Sequence, residues 1–104
     1  MTSVVIVGEA ETQLREIDSW WREHRDVAQS LVTDEFERCV FLLQNSPDIG
    51  TRFHRTEIPG VRRILMKKTR HLVYYIHDPK HELVYIVAVW GMPKDGDPPL
   101  QDPR

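Results

Sequence analysis

The run "LVYIVAVW" at 83 to 90 is apolar at nearly every position, so side chains that alternate across a strand would be apolar on both faces. Such a strand belongs in the middle of a sheet, covered on both sides or partly by a partner. It is preceded by two further β-rich runs, 61 to 67 and 71 to 77. The turn signal "DPKHE" separates the last two runs as a hairpin would. The sheet is therefore expected to be mostly antiparallel in this half of the chain.

The first half follows a different period. "SVVIV" at 3 to 7 reads as a short strand ended by Gly8. Leu14, Ile17, Trp20, Trp21 and His24 then recur at spacings of three and four, which predicts an amphipathic helix from Glu9 to about Arg25. Glu9 and Glu11 fall in its first turn, where the helix dipole favours them. Asp26 and Gln29 have the spacing of a capping box. Ala28, Leu31, Val32, Phe36, Cys39, Val40 and Leu43 trace a second stripe, ending near Asn45. A tight turn around Arg25 and Asp26 would make the pair a helical hairpin. "NSPDIG" and "IPG" break the chain, and the stretch between them is a loop or a short edge strand.

The order is β-α-α-β-β-β, an α+β fold with the helical hairpin packed on one face of a small, mostly antiparallel sheet. With 104 residues the chain suits one domain, taken as residues 1–92, followed by an irregular Pro-rich tail at 93–104. No apolar run is long enough to span a membrane and the start lacks the form of a secretory signal, so the expected location is cytoplasmic. Cys39 stands alone inside "CVFLL", which suggests a packed thiol and excludes an intrachain disulfide. His77 and His81 have an H-x3-H spacing but straddle a turn without matching acidic or cysteine companions, so no metal and no cofactor are expected.

Charge is unevenly spread. The net charge is −2, yet residues 51 to 70 hold seven of the fourteen Lys and Arg with Glu57 as their one acid, and residues 9 to 37 hold nine of the sixteen acids. The stretch "VRRILMKKTRHLVYYI" at 61 to 76 concentrates cations with tyrosines. If Arg63 and Lys67 share a sheet face with His71 and Tyr75, that surface could hold a phosphate and move a proton. The alternative is a set of solvated, aggregation-blocking cations beside packing tyrosines.

In order along the chain, "LREIDSWW", "LLQNSPDIG", "GVRRILMKK" and "HLVYYI" leading to "LVYIVAVWG" resemble the RelE/ParE superfamily of type II toxin–antitoxin toxins, over about residues 3 to 94. The resemblance implies a plasmid-stabilisation type of growth inhibitor, neutralised by a cognate antitoxin whose peptide-like segment wraps it and adds a helix or strand. It also allows a homodimer or a heterotetramer with the antitoxin. RelE-like members cleave mRNA in the ribosome; ParE-like members poison DNA gyrase and are not nucleases. This chain is net acidic where RelE-like toxins are strongly basic. Trp90 stands where many relatives carry a histidine, and Lys94 is closely followed by Asp95 and Asp97. These departures favour the ParE-like branch, with the endoribonuclease and a toxin-fold binding module without toxicity as alternatives.

By the same resemblance, Arg63 or Arg62 matches the arginine of the family's second-strand motif and Tyr75 the tyrosine of its third strand. The expected target surface is Arg62, Arg63, Lys67, Lys68, Arg70, His71, Tyr75, Trp90 and Lys94. For a nuclease, the catalytic candidates are Arg63, Lys67, His71 and Tyr75.

Overall fold

The period switch read from the sequence becomes a layer of helices on a sheet. The computed structural model describes residues 1–92 and 96–104. Strand β1 (Ser3–Ile6) leads into α1 (Gly8–His24) and α2 (Leu31–Asn45). Then come a two-residue strand β2 (Thr51–Arg52), β3 (Val61–Met66), β4 (His71–Asp78) and β5 (Leu83–Gly91). The stretch between the two breaks thus contains the short edge strand, which pairs with Arg62 and Arg63 of β3.

The sheet runs in the order β1-β5-β4-β3-β2, antiparallel except where β1 lies parallel to β5. The apolar run of β5 therefore sits between two strands, as expected. A bulge opposite Tyr74 and Tyr75 sends Val87 and Ala88 to the same face, while Ile86 and Val89 go to the other. Strand β1 ends before the last residues of β5. There the side chain of Gln13, reaching down from α1, accepts the Val89 N–H at 2.9 Å. A side chain thus satisfies a backbone donor that no strand reaches.

The helices cover one face, α1 over β5 and α2 over β1 and β3. Beneath them lie Ala10, Phe36, Cys39, Leu43, Val73, Tyr75, Val84 and Ile86. Burial pushes the Cys39 thiol up to about 12, so it is a protonated packing group at neutral pH. The helical hairpin differs from expectation at its turn. Ala28 adopts φ 59°, a conformation that a helix cannot pass through. Gln29 donates its side-chain amide to the Arg22 carbonyl at 3.4 Å instead of closing a capping box with Asp26. The second helix therefore starts at Leu31, and the connection runs from Arg25 to Ser30. Trp21 turns back over this loop and donates to the Ala28 carbonyl at 3.0 Å, while Trp20 remains half exposed.

The face away from the helices is also closed. Phe53, Val61, Leu72, Tyr74, Ile76, Val87 and Ala88 are buried there, with Ile58, Trp90 and Leu100 packed on them. Gly96–Arg104 contains no helix or strand, yet Pro98 is buried and Leu100 half-buried. Among the described residues no helix is long and apolar enough to cross a membrane.

Candidate functional site

The β3–β4 hairpin fixes which basic residues meet. Met66 pairs with His71 across a four-residue turn, Lys67–Arg70, so each odd-numbered residue of β3 stands opposite an even-numbered one of β4. Arg63 consequently pairs with Tyr74, and Arg62 with Tyr75. Paired residues share a face. The arrangement in which Arg63 would join His71 and Tyr75 on one surface is therefore not the one adopted: the sheet lies between them.

On the helix side, Tyr75 is fully buried and its hydroxyl accepts the Gly50 N–H at 2.8 Å. Burial pushes its phenol above the ordinary value. Arg62, half-buried on the same side, donates to the Gly50 carbonyl at 2.8 Å and lines a 280 Å³ cleft with Asp48, Arg52 and His77. Gly50 is needed for this close approach, because a Cβ there would lie 2.6 Å from the Tyr75 hydroxyl. His71 opens β4 on this face, and its Nδ1 is buried without a hydrogen-bond partner among the described residues. Burial pushes His71 below its ordinary value, against a smaller upward pull from the Thr69 backbone and the charge of Glu35.

Lys67, Lys68 and Arg70 stand exposed on the turn. Glu35 of α2 ties that turn down, accepting the Lys68 N–H at 3.0 Å, the Thr69 N–H at 2.9 Å and the Thr69 hydroxyl at 2.8 Å. Burial alone would raise the Glu35 carboxyl, but these hydrogen bonds outweigh it and hold the group below its ordinary range. Arg70 sits at φ 61°, closing the turn with its N–H on the Met66 carbonyl at 2.8 Å. His77 and His81 bind separate carboxylates through Nδ1, those of Asp48 at 2.9 Å and Asp78 at 2.8 Å.

The far face holds Arg63, and there the structure assembles a group that sequence reading missed. The Arg63 guanidinium lies 5.2 Å from the Phe53 ring centroid and 5.9 Å from that of Tyr74, and donates to the Tyr74 hydroxyl at 3.3 Å. Arg55 lies 5.3 Å from the Phe53 ring on its own account and forks the Asp97 carboxylate with bonds of 2.9 and 3.0 Å. That pair holds the Asp97 carboxyl below its ordinary range. Trp90 is half-buried at the end of the same face, opposite Leu72. Lys94 lies outside the described residues. The Arg63–Tyr74 pairing was recoverable from the sequence only with the turn length in hand. Phe53 and Asp97 lie outside any periodic segment.

Comparison with known proteins gives a consistent result. The family described as the ParE toxin of the type II toxin–antitoxin system parDE matches residues 4–95. No curated protein matches by sequence. Among solved structures, the fold is similar to the chromosomal ParDE toxin–antitoxin system of P. aeruginosa. That match has a TM-score of 0.69 and 17% identity over 89% of this chain and 98% of that one. The intact E. coli RelBE toxin–antitoxin complex gives a TM-score of 0.66 and 14% identity, covering 90% of this chain and 100% of that one. The isolated E. coli RelE toxin gives 0.58 and 15%, covering 91% and 88%.

Proposed function

The chain belongs to the ParE toxin family of type II toxin–antitoxin systems, and from that premise we propose that it arrests growth in the cytoplasm by a protein–protein contact with DNA gyrase, held inactive by a cognate antitoxin. One observation carries this reading. The groups a nuclease would need together are divided by the sheet, with Arg63 on the far face and His71 and Tyr75 on the helix side. A general base has to lie within hydrogen-bond reach of the proton it takes, next to the cation that steadies the phosphate. Tyr75 instead has its hydroxyl committed to Gly50. Trp90, where many relatives carry a histidine, offers a donor and no titratable group.

The antitoxin is supported by the kind of assembly the structural neighbours form, since both RelBE and ParDE are toxin–antitoxin systems. The surface left for a target is then the exposed turn cations Lys67, Lys68 and Arg70 together with the far-face set around Arg63 and Trp90. Cations on a rim steer association and choose partners more than they add affinity.

The test is supercoiling by purified gyrase in the presence of this protein. Inhibition relieved by antitoxin is the expected outcome, and unchanged supercoiling at large excess removes the proposal. The mRNA-cleaving alternative keeps one observation in its favour, the contact of Arg63 with the Tyr74 hydroxyl on the far face. Primer extension on translated mRNA separates the two: new cuts that depend on Arg63 and Tyr74 would replace the gyrase reading. Normal growth under strong induction would instead point to the non-toxic binding module.

A further inference from the structure

Directly opposed residues on neighbouring strands share a face, and like charges placed so repel. Arg52 of β2 stands opposite Arg62 of β3, which in turn stands opposite Tyr75 of β4. His77, two residues beyond Tyr75, falls on the same side of the sheet. The two guanidiniums and this imidazole line the 280 Å³ cleft, with His54 beside them and Asp48 as its one carboxylate. Asp48 is engaged by His77 Nδ1 at 2.9 Å, and among the described residues neither arginine makes an ion pair.

A cation on an edge strand commonly serves to keep other chains off, which accounts for the exposed Arg52. It does not account for Arg62, which is half-buried and held in place. The Tyr75 hydroxyl accepts the Gly50 N–H at 2.8 Å, and the Gly50 carbonyl accepts one Arg62 N–H, also at 2.8 Å. A fully buried phenol thus fixes a loop peptide, and that peptide fixes a guanidinium. The remaining Arg62 donors and all those of Arg52 are uncommitted among the described residues, as is Nε2 of His77. Three donor groups on separate residues match the oxygens of a tetrahedral dianion better than the two of a carboxylate, and its charge offsets the repulsion between the arginines. Nothing in the cleft stacks a base, because the ring of Phe53 is buried edge-on against Tyr74 in the far-face cluster. The volume lies at the lower edge of small-ligand sites and suits a phosphate with a short organic remainder.

We propose that the cleft of Arg52, Arg62 and His77 binds the phosphate monoester of a small molecule, recognised through its phosphate. Arg62 is the fixed anchor and Arg52 the second fork. His77, with Nδ1 on Asp48, donates from Nε2 when its ring is protonated. The site is separate from the turn cations and from Arg63 on the far face, so it does not depend on gyrase being the target.

The probe is ribose 5-phosphate, titrated into the full chain at constant ionic strength and followed by amide NMR. Saturable shifts centred on Gly50, Arg52, Arg62 and His77 are expected, with none from acetate and no tighter binding by adenosine 5′-monophosphate. Arg52→Gln removes exposed donors without touching Gly50 and should weaken binding about tenfold. Arg38→Gln, which removes an exposed charge from α2, should leave it unchanged. Absent or unsaturable shifts, equal binding of acetate, or equal weakening by the two substitutions would each overturn the proposal. A single-stranded oligonucleotide bound through the same residues far more tightly than the monoester would replace it with a nucleic-acid surface. Should Arg52→Gln fail to fold, Arg62→Lys decides: it keeps the charge and loses the fork, so undiminished binding counts against the site.

Discussion

The two faces of the sheet are covered by different means. Over one face, two helices enclose Val73, Tyr75, Val84 and Ile86, each fully buried, and the Tyr75 hydroxyl that enters is paired with the Gly50 N–H. Over the other, an irregular loop carrying Phe53 and a tail carrying Leu100 close on Tyr74, Leu72 and Ile76, with two guanidiniums left at the rim. The first cover is cooperative, because each helix brings its whole apolar stripe at once. The second consists of separate contacts from a loop and a tail, with no shared periodic stripe.

Substitutions on matched residues of the two faces put this contrast to the test. The largest effect is expected for Ile86→Ala, which opens a cavity beneath the helices at about 2–5 kcal/mol, against under about 1.5 kcal/mol for Leu100→Ala in the tail. Equal losses in denaturant titrations would mean that the tail is core and the contrast is false. Next come the two adjacent tyrosines. Tyr75→Phe strands the buried Gly50 N–H and should cost about 1–3 kcal/mol. Tyr74→Phe gives up only a 3.3 Å bond from Arg63 and should cost about 0.5 kcal/mol.

The pH dependence of the melting temperature sharpens the helix side further. His71 has its folded value depressed below the ordinary 6.5, so protons favour the unfolded chain. Its contribution is complete above about pH 6.5 and disappears as pH falls through the lower folded value. His71→Gln should flatten that limb. Glu35, depressed below its ordinary 4.5 by the Lys68 and Thr69 hydrogen bonds, contributes fully above that value and loses its contribution as pH falls further. Glu35→Gln should flatten the second, more acidic limb, and a profile unchanged by both substitutions would show that neither group is held as described. The smallest effect belongs to the far face: Asp97→Asn should leave the melting temperature within experimental error while loosening the tail, seen as faster amide exchange in Gly96–Arg104. A clear drop in melting temperature would mark the tail as a structural clamp.

The fold was largely legible because its signals are local. The stripes of Leu14 and Ile17 and of Val32, Phe36, Cys39 and Leu43 follow from helical spacing, and the two-sided apolar character of β5 from strand alternation. The start of the second helix was not, because Ala28 took a left-handed conformation that its residue type does not advertise. At the site, the basic stretch was visible while its arrangement was not. Arg63 was grouped with His71 and Tyr75, although the four-residue turn Lys67–Arg70 pairs it with Tyr74.

The amino-acid order alone determined which segments are helix or strand and that cations collect in residues 61 to 71, since both depend on neighbours a few positions apart. Only the folded chain decided which face each cation takes and what lies against it. A one-residue change in turn length reverses every side chain of a strand. The partners of Arg63 and Arg55 come from loop and tail positions up to 42 residues away, brought there by packing and not by any periodicity.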